Sequence, residues 1–368
     1  MERFSQFRDK GVFFDVDAFH YTDRTLSGSG IAPFLPIPTE SAGIALPFHI
    51  FLYICRVPLL IVFALSYFVI LQWMPLGILG RKASLWCILG IPGIWWIDLQ
   101  IDGVKKGSLA QNKSKIPQEG SIITSSSASP IDPLYLAAIF DPIFAATYPY
   151  TRLVEPISLL TAIYRSFAHP KLEPAYNAKL VGLETLIKQN PERIIAVFPE
   201  CTTTNGRGIL PLSPSLVTIP PRTKVFPVSL RYTPPDVTTP IPHCYLSFLW
   251  NLCSKPSHCI RIRIAEAVYN TSKSSSAKES TVAAKVSSSY TTNYFDTLGS
   301  DNGVSSDADT LVGSGGEEQE PSMTKDEKAF LDKVAEALAR LGRVKRVGLG
   351  VKEKIEFIEM WATSRSRR

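Results

Sequence analysis

The stretch Gly120–Phe140, GSIITSSSASPIDPLYLAAIF, decides the fold. Its first half is a β-branched run ending in small polar residues, and its second half is an apolar helical run entered through Pro130 and Asp132. A buried strand that turns within a few residues into a helix is the repeating joint of an α/β layer structure. RIIAVFPE (193–200), KVFPVSLRY (224–232) and RIRIAEAVY (261–269) read as further strands, and AKLVGLETLIKQN (178–190) reads as a helix. The alternation predicts an α/β domain over 99–270, with a mixed or parallel sheet covered by helices on both faces and ligands near strand ends.

Upstream the pattern changes. The chain has 368 residues, 45% of them hydrophobic, and the apolar excess is concentrated near 44–98. Val57–Leu79 is an uncharged apolar run between Arg56 and Arg81-Lys82, and about 20 such residues cross a bilayer core as a helix. Ser84–Ile97, SLWCILGIPGIWWI, is short for a span and is interrupted by Gly90, Pro92 and Gly93. It reads as re-entrant or interfacial, with Trp86, Trp95 and Trp96 at headgroup depth. Residues 46–98 are thus expected to form a membrane-embedded hairpin or a single span.

Residues 1–45 read as an extended leader without an apolar signal core. Residues 271–321, rich in Ser, Thr, Gly and acids, bury too little apolar surface to repay ordering and are expected to be a disordered insertion. In 322–368, Thr324 and Glu327 suit a capping box, and Phe330, Val334, Leu338 and Leu341 recur at helical spacing. A second amphipathic stretch carries Ile355, Ile358 and Trp361. Docking on the core and contact with an anionic bilayer are both open for this basic-tailed segment.

The net charge of +6 is scattered and accompanies no nucleic-acid motif. The six cysteines include no C-x-x-C pair, which favours reduced thiols facing the cytosol. His243-Cys244, Cys253 and His258-Cys259 do not have the spacing of a closed zinc site. Asn112 and Asn270 begin glycosylation sequons, which a cytosolic domain would leave unmodified.

Chemistry gathers in Ala196–Leu210, AVFPECTTTNGRGIL, a buried strand that stops at Pro199-Glu200 and opens into a Thr/Asn/Gly loop with Arg207. Hydroxyls, backbone amides and a cation at a strand end form a cradle suited to phosphate. This stretch resembles the FPEGT signature of the glycerophosphate and lysophosphatidic acid acyltransferases. SSSASPIDPLYLA resembles that family's N-H-x-x-x-x-D block, KVFPVSL its late proline strand with Pro227, and AIYRSFAHP, more weakly, its arginine block. The order of segments is closest to a fungal branch of the family.

The resemblance implies a glycerolphosphate acyltransferase-like fold and acyl transfer from acyl-CoA to a lysophospholipid. It implies no bound cofactor or metal, with membrane lipids as partners and a site at the cytosolic face of the endoplasmic reticulum or a lipid droplet. It implies that a histidine deprotonates the acceptor hydroxyl, that Asp132 orients that histidine, and that Glu200, Thr202 and Arg165 bind the acceptor. Four positions depart from the pattern. Ser127 stands where the histidine belongs and Ser126 where the asparagine does; Cys201 replaces the motif glycine; Thr203 replaces an arginine, a charge Arg207 is expected to supply. A serine hydroxyl does not titrate near neutrality, and a general base contributes about 10²–10⁴-fold. His169 is the best substitute base in the sequence, and Cys201 would accept the acyl group only as an activated thiolate. Asp132 also fits a plain helix-start role, behind Ser129 and Pro130. Lipid binding without turnover is therefore the rival reading.

Overall fold

The computed structural model describes residues 2–9, 30–39, 43–74, 77–104, 113–272 and 323–366. In chain order the strands are β1 (Ile94–Ile101), β2 (Ile122–Ser125), β3 (Ile143–Ala146), β4 (Glu155–Ile157), β5 (Ile195–Val197), β6 (Gly208–Ile209), β7 (Val225–Thr233), β8 (His258–Ile264) and β9 (Lys345–Arg346). The helices are α1 (Leu46–Leu65), α2 (Ile78–Gly90), α3 (Ile131–Phe140), α4 (Leu159–Arg165), α5 (Leu183–Gln189), α6 (Tyr245–Cys253), α7 (Lys325–Gly342) and α8 (Val351–Ser366). Seven strands form one sheet in the order β1-β8-β7-β2-β5-β3-β4. It is mixed, as expected: β7/β8 and β3/β4 are antiparallel and the other neighbours are parallel.

Alternation along β7 divides the core. Phe226, Leu230 and Tyr232 join Ile260 and Ile262 beneath α2, α3 and α6, whereas Val225 joins Ile122 and Val197 beneath α5 and α7. The strands that read as continuous apolar runs are those covered on both faces.

The apolar segments depart from expectation. Among the described residues one helix is long and apolar enough to cross a membrane, Gly43–Leu71, 29 residues. It begins well before Val57 and carries Arg56 within it. That charge is tolerated because the guanidinium donates to the carbonyls of Pro92, Lys255 and Pro256, at 3.2, 2.5 and 2.9 Å. Ser84–Ile97 is not re-entrant. Leu85, Ile88 and Leu89 of α2 are buried in the core shared with α3, Trp86 meets Tyr135 edge-on, and Ile94–Ile101 is the sheet's edge strand paired with β8. The stretch read as re-entrant or interfacial is a helix and a strand of the domain, which places the domain's start before residue 99.

The ends of the chain meet each other. Residues Glu2–Phe7 form a 3₁₀ turn instead of extended chain, and Phe7 and Phe34 pack with Phe357 of α8 in a third buried cluster. α7 has the capping box of Thr324 and Glu327 and buries Phe330, Val334 and Leu338 against the sheet, so this segment docks on the core. The insertion at 271–321, apart from its first two residues, and Asn112 lie outside the described residues. Asn270 is buried, and its Nδ2 donates to the carbonyls of Val217 and Ile219 at 3.0 and 2.8 Å, so the folded domain leaves no room for a glycan there. No disulfide joins any of the six cysteines, all of which lie among the described residues.

Candidate active site

β2 and β5 are parallel neighbours, with Thr124 opposite Val197, so the segments after them leave the same edge of the sheet. The Thr204 amide donates to the Ser127 carbonyl at 2.9 Å, joining the two motif loops directly. Between these loops, the end of β3 and α4 lies a pocket whose walls include Ser127, Thr147, Arg165, Ser166, Cys201, Thr202 and Thr203. Five residues singled out in the sequence, Ser127, Arg165, Cys201, Thr202 and Thr203, are thus brought to one cavity from stretches some seventy positions apart.

Arg165 is the cation of this pocket. It donates to the Tyr148 hydroxyl at 3.0 Å, lies 3.6 Å from Glu155 Oε2, and stacks 5.0 Å from the Tyr148 ring centroid. The Tyr148 hydroxyl in turn donates to Glu155 at 2.6 Å. A guanidinium held by a ring on one side and a carboxylate on another is pre-oriented, which lowers the entropy cost of gripping a phosphate.

Asp132 is engaged on both oxygens. Oδ2 accepts from the amides of Ala128 and Ser129 at 2.7 and 2.9 Å, and Oδ1 accepts a short hydrogen bond from the Tyr232 hydroxyl. Burial pushes its carboxyl up to about 6, against the pull of these three donors. This is the helix-start role in full: the side chain reaches back and closes the turn that carries Ser127.

Among the described residues no histidine lines the pocket. His169 is exposed and its ring meets that of His243 at 4.9 Å between centroids, outside the pocket where a substitute base would act. Arg207 is exposed too and does not line the pocket, so it does not replace the charge missing at Thr203. The reason is local: Asn205 Oδ1 accepts from the Arg207 amide at 3.1 Å, and this Asx-type turn sends the chain outward.

The cation that reaches position 203 is Lys354 of α8, which does not line the pocket but backs its Thr203 wall, a residue that motif reading overlooked. Lys354 is 1% exposed, and its Nζ donates to the Thr203 carbonyl and hydroxyl at 2.6 and 2.9 Å. Thr203 Oγ1 donates onward to the Thr239 carbonyl at 2.8 Å, the Thr239 hydroxyl donates to the Ser166 carbonyl at 3.1 Å, and the Thr239 amide donates to the Ala128 carbonyl at 2.9 Å. One lysine therefore anchors a network that touches three walls of the pocket. A signal existed in the sequence: Val351, Lys354, Phe357 and Ile358 recur at helical spacing, which puts Lys354 on the buried stripe.

Glu200 does not line the pocket; it is 1% exposed, and neither carboxyl oxygen has a hydrogen-bond partner among the described residues. Burial pushes it up to about 8; the Leu210 amide and Lys354 pull the other way, without closing a bond on the carboxyl, and Asp132 pushes it further up. Burial pulls Lys354 down to about 7, opposed by Glu200. Cys201 takes a left-handed backbone, φ 59°, the conformation for which glycine is favoured. Its sulfur lies 3.3 Å from Thr147 Oγ1, and burial pushes the thiol up to about 11. At neutral pH it is a thiol, so an acyl-cysteine intermediate has no support here.

These two buried groups give opposite dependences of stability on pH. Glu200 is raised above its unfolded value of 4.5, so its contribution is full below that value and is lost as pH rises towards 8. Lys354 is lowered from 10.5, so its contribution is full at high pH and is lost as pH falls through 7. We expect Tm to fall between pH 5 and 7.5, and Glu200→Gln to flatten that slope in scanning calorimetry. Identical slopes in the two proteins would mean that Glu200 is not buried in acid form.

No family model matches the chain. It is 27% identical over 272 residues to a Schizosaccharomyces pombe protein whose assignment as a lysophosphatidic acid:oleoyl-CoA acyltransferase is itself provisional; the match covers 72% of this chain and 84% of that one. It is 28% identical over 196 residues to lysophosphatidic acid:oleoyl-CoA acyltransferase 1 of Saccharomyces cerevisiae, covering 52% of this chain and 60% of that one. The relatives bear out the resemblance read from the motifs and support an acyltransferase function.

Proposed function

We propose that this protein transfers a long acyl chain from acyl-CoA to the free hydroxyl of lysophosphatidic acid or a related lysophospholipid. It would work at the cytosolic face of the endoplasmic reticulum or a lipid droplet. The observation that carries the reading is the convergence of the Ser127 turn and the Glu200–Thr203 loop on a pocket that contains Arg165. Arg165 suits a phosphate and the ring of hydroxyls suits a glycerol. The Gly43–Leu71 helix would hold the protein where both amphiphilic substrates reside.

In the reaction the acceptor oxygen bonds to the thioester carbonyl carbon, the carbon–sulfur bond breaks, and the hydroxyl proton ends on the departing CoA sulfur. Ser127 cannot take that proton in transit. The chain's residues then contribute by positioning: Arg165 fixes the acceptor phosphate, and Lys354 holds the Thr203 wall through its two hydrogen bonds. Turnover is expected to be slow, short of the roughly 10²–10⁴-fold that a general base supplies.

The test is release of CoA thiol, with the lipid product identified by mass, from membranes bearing the protein and supplied with oleoyl-CoA and lysophosphatidic acid. Arg165→Ala should raise the acceptor KM by about 10–100-fold, the value of a hydrogen bond to a charged group, with the acyl-CoA KM unchanged. A second reading, lipid binding without turnover, is favoured by a pocket lining that holds no histidine among the described residues. Thiol release no faster than in membranes lacking the protein, together with retained lysophosphatidic acid binding, would establish it.

A further inference from the structure

A strip of arginines crosses the sheet on the face turned away from α6. In the β7/β8 register Arg231 lies opposite Arg261 and Ser229 opposite Arg263, while β1 brings Asp98 beside Arg261 and Gln100 beside Arg263. Residues two apart on a strand share a face, so Arg231, Arg261 and Arg263 project together. Arg343 joins them: it follows α7 directly, and a Cβ on neighbouring Gly342 would lie 3.4 Å from Ser229 Oγ. Burial and then the guanidiniums of Arg263, Arg261 and Arg343 pull Arg231 below the usual arginine value.

The acids nearby do not balance this charge. Asp98 lies 3.2 Å from Arg261 Nε, and Asp102 is held by Arg340 at 2.5 Å. Arg263 donates to Gln100 Oε1 at 3.2 Å and to the Leu341 carbonyl at 2.9 Å, both neutral. Asp102 as well as Asp98 acts on Arg263, so with Arg340 the strip and its flank set five guanidiniums against two carboxylates. Like charges gathered on one face repel, and an anion bound across them removes that cost.

What lies beside the strip indicates which anion. Trp95 and Trp96 of β1 are each 70% exposed. Trp96 is in register with Cys259, one step along the strip's face from the pair Asp98 and Arg261. Immediately before them, Pro92 is bonded to Arg56, so the exposed apolar helix passes the same end of β1. Apolar helix, then tryptophan, then arginine is the order in which a bilayer offers hydrocarbon, headgroup boundary and phosphate.

We propose that Arg231, Arg261, Arg263 and Arg343 form a binding surface for the phosphates of anionic membrane lipids, which orients the domain on the bilayer beside its apolar helix. The surface is separate from the pocket, and the inference stands whether or not the pocket turns over. Arg231 and Arg343 are the residues to change, since neither side chain has a hydrogen bond or ion pair among the described residues and the fold does not depend on them.

The test uses the full chain with vesicles of phosphatidylcholine alone and of phosphatidylcholine with phosphatidylserine, comparing wild type with Arg231→Gln/Arg343→Gln by flotation. The double variant should bind the mixed vesicles about 30-fold more weakly, about fivefold per cation near an anionic surface. It should bind pure phosphatidylcholine as the wild type does and melt at the same temperature. Equal binding of the two proteins to the mixed vesicles would overturn the proposal, as would an equal loss on both vesicle types. Erasure of the preference by millimolar inorganic phosphate at constant ionic strength would also overturn it, in favour of a small-anion site.

Discussion

Ser127→His is expected to raise kcat for acyl transfer by about 10²–10⁴-fold, the contribution of a positioned general base. Position 127 already lines the pocket, and its turn is held by Asp132 through the amides of Ala128 and Ser129. A carboxylate offers about four acceptor sites. Three are filled here, two by those amides and one by Tyr232, which leaves one for an imidazole N–H at position 127. Tyr232→Phe in the same protein would release Oδ1 as well, so the double variant should exceed the single one. Both should acquire a rising pH limb near the imidazole value that the wild type lacks. Thiol release with product mass measures the gain, and no gain in either variant would show that the acyl-CoA thioester does not reach this turn.

Asp132→Ala is expected to destabilise the fold by about 3–5 kcal/mol, the large end of single-substitution effects that comes from breaking a buried hydrogen-bond network. It strands two buried amides and the Tyr232 hydroxyl, each costing about 1–3 kcal/mol when left unmade, partly relieved by relaxation. Asp132→Asn keeps one acceptor oxygen and should lose less. The shift in urea midpoint at constant m-value checks this. Unchanged midpoints would mean that Asp132 is held for chemistry alone. The expected large shift would make it first the residue that shapes the turn, and any loss of turnover would follow from that.

β2, α3, β5 and most of β7 were legible because they are buried and read as uninterrupted apolar runs, and β8 was legible by its alternation, whereas β3, β4, α4 and α6 are short or lie at an edge and were not read. The apolar N-terminal region was legible in character but not in its boundaries. Composition registers that a segment avoids water, whereas Arg56 is placed by three carbonyls from 92 and 255–256 that no local window contains. For the same reason α2 and β1 looked like a second membrane segment: a helix packed on α3 and an edge strand with exposed tryptophans share the composition of an interfacial stretch.

Sequence alone determined the class of the fold, the two motif loops that meet at its site, and the substitution of Ser127 for a titratable base, because these depend on residue type and order along one stretch. Only the tertiary structure decided which cation backs the Thr203 wall of the site. Arg207, four residues past Thr203, is turned out to solvent, and Lys354, some 150 positions away on α8, is buried against Thr203. It also decided that Asp132 is taken up by Tyr232 and the turn it closes, and that four arginines from two strands and a helix end share one face. The physical reason is the same in each case. Electrostatic and hydrogen-bond partners are set by distance in space, and the chain brings such partners together only when its sheet closes.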